Sequence, residues 1–328
     1  LLELIGGNWA TQAIGVAAGL GLADQLAAGV TEVAALARAC GCDADALRRL
    51  LRGLAALGLL RQEARDSFRL TAMGELLRRD ASLSLNAHAQ WWSRQAWTVW
   101  GELMGSVRTG QSMRQRRHGQ RGFEHLDADA ASAKLFHRSM AELTRLVAVD
   151  LAGSPALPER GLVMDLGGGH GELLAEVLRT RPGLRGLLFD LGHAVEGAHA
   201  HLREAGVAGR VRVVSGDFFA PLPGPVDVVL LKSVLHDWDD AQAVRILQRV
   251  REALAPEGRV LLIERVMPLQ VQALPEHRST VRSDLNMLVG LGGRERTATA
   301  YEALLAAAGL SLRRLLPAEA AFSVIEAG

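Results

Sequence analysis

The sequence has few cysteines and almost no net charge, and each absence excludes a class of protein. The two cysteines, Cys40 and Cys42, are one residue apart, where a disulfide would be strained. No cluster of histidine or further cysteine accompanies them to complete a zinc site. A formal net charge of +1 over 328 residues gives no global field that would attract nucleic acid or anionic lipid. We therefore expect reduced thiols, a cytoplasmic location, no bound metal and no nucleic-acid partner.

One uncharged run, residues 4–23, is long enough to raise the question of a membrane span. It contains five glycines together with Asn8 and Thr11, and no positively charged flank precedes it. The run therefore predicts a helix that is buried or lies at a subunit interface, with no membrane contact. Because the sequence starts at Leu1 rather than Met, it leaves room for a short native leader.

Residues 31–77 have the pattern of two helices followed by a strand. A Gly-Cys-Asp turn separates the helices, Asp43 or Asp45 can cap the second, and "FRLTAMG" predicts the strand. This order is that of a winged helix, whose obvious function is DNA binding. Residues 31–80 contain nine arginines and seven acidic residues, however, whereas a DNA-binding surface concentrates positive charge. We therefore expect this region to pack against protein.

Four of the six tryptophans fall within residues 88–105 at helical spacing, namely Trp91, Trp92, Trp97 and Trp100. Such a cluster is typical of a core, and the alternative is that part of it lines a pocket for a flat aromatic ligand. The Arg- and Gly-rich residues 108–122 predict a solvated loop, and residues from about 125 to 152 return to helix. The first domain is predicted as residues 1–152, mainly helical, with dimerisation and substrate-covering roles.

The second predicted domain, residues 153–328, alternates strand and helix. Six apolar runs read as strands, most of them separated by helical stretches, which is typical of an α/β fold with a Rossmann-like, doubly wound parallel sheet. Such sheets bind ligands at the carboxyl ends of their strands. Asp165 ends the first strand, and Gly167, Gly169 and Gly171 form a G-x-G-x-G turn into the next helix. A dinucleotide-binding loop would instead need glycine at Glu172.

Two further strand ends favour an adenosine-bearing ligand. Asp190 follows the last glycine by 19 residues, where a carboxylate can accept hydrogen bonds from both hydroxyls of a ribose. The segment "SGDFF" ends the third strand with Asp217 and Phe218, which suit an adenine amino group and ring face. No P-loop lysine or basic cluster meets the glycines, so the ligand needs no phosphate contact.

With these motifs the sequence resembles the class I S-adenosylmethionine-dependent methyltransferases. It is most similar to the small-molecule O-methyltransferases of plant caffeate type and their bacterial antibiotic-pathway relatives, through "DLGGGHG", "FDL", "GDFF", "LHDW" and "GGRERT". The resemblance implies S-adenosylmethionine as cofactor, no metal, and a homodimer formed by the N-terminal winged-helix domain. It implies nine cofactor-binding residues: Asp165, Gly167, Gly169, Gly171, Asp190, Gly216, Asp217, Phe218 and Lys232.

Methyl transfer from a sulfonium needs a nucleophile held in line with the methyl carbon. A phenol has a pKa of about 10, so a base that takes its proton should accelerate attack by roughly 10² to 10⁴. The resemblance implies that His236 is this base and that Glu264 and Glu295 flank its ring. We further expect five residues to contact a small aromatic acceptor: Trp97, Met140, Asp284, Asn286 and Met287. Asp237 is expected to cap or pair locally.

The sequence thus predicts an O-methyltransferase that acts on a phenolic natural-product intermediate. An N-methyltransferase or a hydroxylase that retains the cofactor would use the same fold and remains an alternative. A winged-helix regulator that senses a nucleoside-like ligand is the third hypothesis. A base with two supporting carboxylates favours the first, since a sensor has no need of one.

Overall fold

The computed structural model describes residues 1–119, 123 and 129–328, which form two compact units. The first unit comprises Leu1–Thr98 and Ala130–Leu143, and the second comprises Val99–Asp129 and Thr144–Gly328. These units are defined by contacts and are not the same as the predicted domains. The predicted domain boundary between residues 152 and 153 therefore stays a prediction. Among the described helices, none combines the length and the apolar character that a bilayer crossing requires.

The first unit begins with three helices where the sequence predicted one. They are α1 (Leu2–Gly6), α2 (Asn8–Leu20) and α3 (Leu22–Ala27). The break between α2 and α3 lies at Gly21, whose φ of 67° favours glycine because a side chain rarely adopts it. Only small side chains of α2 are buried, and the apolar residues of α1 are exposed.

The two helices predicted next are present, and a hairpin follows them. Helices α4 (Val33–Cys40) and α5 (Ala44–Ala56) precede the antiparallel strands β1 (Leu60–Ala64) and β2 (Ser67–Leu70). Asp43 caps α5 by accepting a hydrogen bond from the Ala46 amide. The order is that of a winged helix. Strand β1 was not predicted, and "FRLTAMG" is strand only to Leu70, because Thr71 caps the short helix α6 (Ala72–Glu75).

The tryptophan segment, residues 88–105, is helical as its spacing predicts, except for a turn at residues 101–102. Helix α7 (Asn86–Trp91) continues through a π-helical turn, Trp92–Ala96, into α8 (Trp97–Trp100), and α9 (Leu103–Thr109) follows. The prediction of a loop over residues 108–122 is wrong for α10 (Met113–His118). Ser112 and Gln115 form a capping box there, in which each side chain accepts a hydrogen bond from the other residue's backbone amide. Residues 120–122 lie outside the described residues.

The long helix α11 (Ala130–Gly153) passes from the first unit into the second at residue 144. It confirms the helix predicted over residues 125–152 for its described part, since residues 125–128 lie outside the described residues. A seven-stranded sheet then forms the centre of the second unit. Its strands are β3 (Gly161–Leu166), β4 (Leu184–Asp190), β5 (Val211–Ser215), β6 (Val226–Lys232), β7 (Leu254–Glu264), β8 (Leu312–Pro317) and β9 (Ser323–Ala327).

The strand order is β5-β4-β3-β6-β7-β9-β8, which is Rossmann-like. Strands β3 to β7 are parallel, whereas β9 pairs antiparallel with both β7 and β8. The sequence predicted a parallel sheet of six strands and missed β8. The connecting helices are α12 (Glu172–Thr180), α13 (Ala198–Glu204), α14 (Asp240–Ala253), α15 (Pro275–Gly290) and α16 (Ala298–Ala307).

Alternating side chains of the central strands fill two separate hydrophobic cores, one on each face of the sheet. Val163 of β3 belongs to one core and Met164 to the other, and both are fully buried. A central parallel strand covered on both faces is held rigidly, and its carboxyl end is therefore a fixed point. Asp165, Asp190, Lys232 and Glu264 all stand at such ends.

Candidate active site

The loop that carries His236 begins where β6 ends. Ser233 follows Lys232 with a φ of 55°, an uncommon conformation for a residue with a side chain and one often found at functional sites. A short 3₁₀ turn, Leu235–Asp237, then turns back over the edge of the sheet. His236 is buried within this turn, with 7% of its surface exposed. The turn therefore presents a buried imidazole at the carboxyl edge of the sheet.

Glu264, the last residue of β7, binds the backbone of this loop. Its Oε1 accepts hydrogen bonds from the amides of Val234 (3.1 Å) and Leu235 (2.9 Å). Its Oε2 lies 3.5 Å from Nδ1 of His236. Because the carboxylate binds the backbone on both sides of the turn's start, Glu264 fixes the path of the loop as well as contributing charge.

Glu295 makes the direct contact with the imidazole. The Nδ1 of His236 lies 3.0 Å from Oε1 of Glu295, and Ser283 donates a 2.6 Å hydrogen bond to the same oxygen. The backbone amide of Glu295 donates to Oδ1 of Asp284. Helix α15 therefore positions Glu295 through two consecutive side chains. Of the two, the sequence singled out only Asp284, and for substrate contact.

The structure brings the three predicted catalytic residues together, with both glutamates on the Nδ1 side of the ring that they were expected to flank, and their catalytic role stays a prediction. Asp237 occupies the other side, with Oδ1 3.4 Å from Nε2 of His236. Asp237 was expected to cap or pair locally; it pairs with the imidazole, and the cap of α14 comes from Asp239. The contact of Asp237 with Nε2 had no signal in the sequence beyond its position next to His236.

These carboxylates change the ionisation of the ring. Burial disfavours the charged imidazole, but Glu295, Glu264 and Asp237 together outweigh it and raise the pKa of His236 to about 10. Burial also raises the pKa of the Asp237 carboxyl, to about 7, against the attraction of His236. Burial opposes ionisation of Glu295 as well, yet its hydrogen bonds and the imidazolium hold its pKa below the ordinary value. The free site therefore holds an imidazolium paired with Glu295.

The same three side chains could also be considered as a metal site. One ligand atom from each of His236, Glu264 and Glu295 lies within 4.8 Å of the others. One oxygen of each glutamate already accepts hydrogen bonds: Nδ1 and Ser283 share Oε1 of Glu295, and two amides occupy Oε1 of Glu264, whereas Oε2 of each glutamate is buried without a hydrogen-bond partner. The contacts fit a hydrogen-bonded acid–base cluster, and the absence of a metal stays a prediction.

The glycine turn lies between the ends of β3 and β4. The amide of Gly169 donates a 2.8 Å hydrogen bond to Oδ2 of Asp190, and the Leu191 amide donates to Oδ1. Gly169 has a φ of 56° and open space where a Cβ would stand. A Cβ at Gly168 would lie 2.5 Å from the Asp165 carboxyl carbon, so only glycine allows this close approach. The turn leaves its backbone open to a ligand beside two carboxylates.

Asp165 is the clearest sign of a missing partner at this turn. The residue is 2% exposed, and its Oδ2 is buried without a hydrogen-bond partner. Burial, followed by the nearby charge of Asp190, raises the pKa of Asp165 to about 7. A cationic group beside Oδ2 would lower this pKa again, because a nearby positive charge favours the ionised carboxylate.

The remaining predicted cofactor residues surround the same edge. Lys232 is half-buried, its Nζ contacts the Ser233 hydroxyl at 3.2 Å, and desolvation lowers its pKa to about 8. Phe218 packs edge-on against Trp238, at 5.8 Å between ring centroids. Asp217 is exposed and accepts a hydrogen bond from the Phe219 amide. A Cβ at Gly216 would lie 2.5 Å from the Phe189 ring, so packing by itself explains this glycine.

The predicted acceptor contacts are divided between the two units. Asn286 accepts a 3.0 Å hydrogen bond from the indole Nε1 of Trp100, so the tryptophan segment meets α15 within the second unit. Met287 is buried on the same helix. Met140 and Trp97 belong to the first unit, where 41% of Trp97 is exposed. Contact of these residues with an acceptor stays a prediction.

Family models match both parts of the chain. One, described as an O-methyltransferase domain, matches residues 100–311, and another, described as an O-methyltransferase dimerisation domain, matches residues 2–80. The chain belongs to the O-methyltransferase family. The predicted family and fold class are thereby confirmed, and the seven-stranded sheet is that of a class I methyltransferase.

Known O-methyltransferases resemble this one along their whole length. The phenazine O-methyltransferase PhzM of Lysobacter antibioticus is 35% identical over 327 residues, which cover 100% of this chain and 95% of that protein. The crystal structure of LaPhzM has a TM-score of 0.93 at 34% identity, with 100% and 97% of the two chains covered. A neocarzinostatin-biosynthesis O-methyltransferase, NcsB1, in complex with S-adenosylmethionine and 2-hydroxy-5-methyl naphthoic acid, has a TM-score of 0.78 at 35% identity, covering 97% and 95%.

Two relatives of comparable identity have other activities. The 8-amino-8-demethylriboflavin N,N-dimethyltransferase of Streptomyces davaonensis is 36% identical and covers 94% of this chain and 88% of that protein. Aclacinomycin 10-hydroxylase RdmB of Streptomyces purpurascens is also 36% identical, covering 95% and 84%. Within the family, the reaction therefore depends on the site rather than on the fold.

Proposed function

We propose that this O-methyltransferase transfers the methyl group of S-adenosylmethionine to a phenolic hydroxyl of an aromatic natural-product intermediate, with His236 as the general base. The observation that carries the proposal is the 3.0 Å contact between Nδ1 of His236 and Glu295 inside a buried carboxylate cluster. That contact commits Nδ1 and leaves Nε2 as the nitrogen that exchanges a proton with an acceptor.

Because the pKa of His236 is raised to about 10, the ring of the free site is protonated at neutral pH, and it acts as a base only once that proton is lost or the acceptor binds as its anion. An imidazole whose pKa is about 10 matches a phenol of pKa about 10, so the proton moves between them without a large free-energy difference. The pair of imidazole and phenol carries the same net charge as the pair of imidazolium and phenolate. An acidic phenol can therefore bind as its anion and be held by the protonated Nε2, in place of the contact with Asp237.

The residues at the glycine turn fit S-adenosylmethionine. The cofactor supplies a methyl group on a positively charged sulfur. Asp165 offers a buried oxygen without a partner to a cation, and Asp190 offers a carboxylate to the ribose. Asp217, Phe218 and Lys232 complete the pocket in this proposal. The buried carboxylates thus serve to bind a cationic ligand, which ordinary packing would not require.

We infer a homodimer formed by the N-terminal region. The dimerisation-domain model covers residues 2–80, and four large apolar residues at the start of the chain are more than two-thirds exposed: Leu1, Leu2, Leu4 and Ile5. The part-buried free thiols of Cys40 and Cys42 support the proposed cytoplasmic location. Sedimentation velocity tests the dimer, and a monomer at micromolar concentration would contradict it.

The test of the proposed reaction uses radiolabelled methyl donor and a panel of hydroxylated naphthoates, anthracyclines and quinones. We expect label in an O-methyl ether, and His236→Gln should keep cofactor affinity while losing most turnover. Label on nitrogen would support the N-methyltransferase alternative, and an oxygenated product without label would support the hydroxylase. Unchanged turnover in His236→Gln would remove this residue from the mechanism. Retention on nonspecific DNA at moderate salt would favour a regulator.

A further inference from the structure

Arg296 ties together the two segments that form the acid–base cluster. It is the residue after Glu295 and is 3% exposed. Its Nη1 donates a 2.8 Å hydrogen bond to the carbonyl of Leu235, and its Nη2 donates a 2.7 Å hydrogen bond to the carbonyl of Trp238. These two carbonyls lie on either side of His236. One guanidinium therefore holds both ends of the turn that carries the imidazole.

A carboxylate fixes the guanidinium from the other direction. Asp240, in the first turn of α14, accepts from Nε at 2.9 Å and lies 2.8 Å from Nη2. Nε and Nη2 converge on the single oxygen Oδ1 of Asp240, and together with the two carbonyls this oxygen orients the guanidinium, since the donors of arginine form a rigid fork. A lysine in this position could not reach the two carbonyls and the carboxylate at once, because it has a single nitrogen.

The backbone beside Arg296 is fixed to the same turn. The amide of Arg294 donates a 2.8 Å hydrogen bond to the carbonyl of His236. A Cβ at Gly293 would lie 1.9 Å from that carbonyl oxygen, so this approach requires glycine. The carbonyl of Arg296 accepts from the Met267 amide, just after β7. The segment from 293 to 296 is therefore bonded both to the His236 turn and to the strand that carries Glu264.

We propose that Arg296 is a positioning residue for the methyl-transfer reaction, which holds the turn of His236 at hydrogen-bond distance from Glu295. The proposal rests on the proposed role of His236. Arg296 acts on the imidazole through the backbone on both sides of it, at Leu235 and Trp238. Without the Arg296 guanidinium, the turn keeps its bonds to Glu264 and the backbone bond from Arg294, but loses the two side-chain hydrogen bonds at Leu235 and Trp238 that fix its ends.

The variants are Arg296→Met and Arg296→Lys in the full chain, with Arg210→Met as a matched control. Arg210 also donates to several backbone carbonyls, those of Leu178, Pro182 and Leu184 among them, but at the amino ends of β4 and β5, away from the carboxyl edge that carries His236. Both methionine variants remove one guanidinium bonded to main-chain oxygens. A purely structural effect would therefore appear in both.

The main measurement needs no acceptor: the titration of the His236 imidazole by NMR in ¹⁵N-histidine-labelled protein. The proposal expects the pKa of His236 to fall in Arg296→Met, since the ring moves away from Glu295, and to stay high in Arg210→Met. With an acceptor from the panel, kcat should fall by about 10²-fold while cofactor affinity is kept, because a small displacement of a reacting group has that effect. Arg296→Lys should recover little of it.

An unchanged His236 titration and kcat in Arg296→Met would overturn the proposal, as would equal losses in Arg210→Met. If Arg296→Met does not fold, Asp240→Asn decides, because it loosens the guanidinium at its exposed end and should change the titration in the same direction. A silent Asp240→Asn then counts against the proposal. Failure of the proposed function is distinct, since it appears as full turnover in His236→Gln whatever the titration of Arg296→Met shows.

Discussion

Replacing Glu295 by glutamine is the sharpest test of the electrostatics of this site. Glutamine keeps the size of the side chain and one acceptor oxygen, so Nδ1 of His236 can still donate its hydrogen bond. What disappears is a negative charge 3.0 Å from that nitrogen. Two opposite charges about 4 Å apart interact by about 4 kcal/mol at an effective dielectric constant of about 20. At about 1.36 kcal/mol for each pKa unit, the loss lowers the pKa of His236 by about three.

The pKa of His236, raised to about 10 in the native site, should therefore fall to about 7 in Glu295→Gln by this estimate. The assay is ¹⁵N NMR of the histidine ring across pH 5 to 11, together with the pH dependence of kcat, whose acid limb should move to lower pH. Glu326→Gln is the control. Glu326 is a buried carboxylate bonded to Arg259 and Arg314 away from the loop. Titration of His236 at the same pH in wild type and Glu295→Gln would refute the reasoning.

Four further experiments test other properties of the site. Asp165→Asn removes a buried carboxylate whose pKa is raised to about 7, so the cofactor-free protein should gain thermal stability at pH 8. The same variant should lose affinity for S-adenosylmethionine. Equal affinity by isothermal calorimetry would contradict the proposed role of Asp165 in cofactor binding. Gly293→Ala places a Cβ 1.9 Å from the His236 carbonyl oxygen. This substitution should lower the free energy of unfolding by about 1–3 kcal/mol and remove most turnover. Gly192→Ala is the control, because its Cβ meets nothing within 4 Å and should change neither quantity. Prolonged dialysis against a chelator should leave activity intact, and activity restored only by added metal would show that the acid–base cluster binds an ion. The raised pKa of His236 also stabilises the fold below pH about 6.5, and this stabilisation is lost as pH rises toward about 10. Denaturant unfolding should therefore find His236→Gln less stable than wild type at pH 6, with the difference closing by pH 10; a constant difference would argue against the charged pair.

Local pattern in the sequence determined the elements that carry the site. Strand-like runs followed by Asp165 and Asp190, with glycines between, specify where a parallel sheet turns into helices, because strand and helix periods are read over a few residues. The motif around His236 and the two glutamates then predicted these residues as the acid–base group, through the family that the sequence resembles. The sequence did not predict strand β8, because buried and exposed residues do not alternate clearly along it. It did not predict α10, because the many arginines of this segment favoured a loop over its capping box.

The tertiary structure alone decided how these residues work together. Glu295 lies 59 positions from His236 in sequence, and Arg296 lies 61 positions from the carbonyl of Leu235 that it binds. Contacts between residues so far apart leave no periodic pattern in the sequence. They depend on how α15 and the loop pack onto the sheet. Packing places both glutamates near Nδ1 of His236 and Asp237 near Nε2. It also brings the Ser283 hydroxyl to Glu295. The sequence determined which groups are present, and the fold determined their distances, on which the pKa of the imidazole depends.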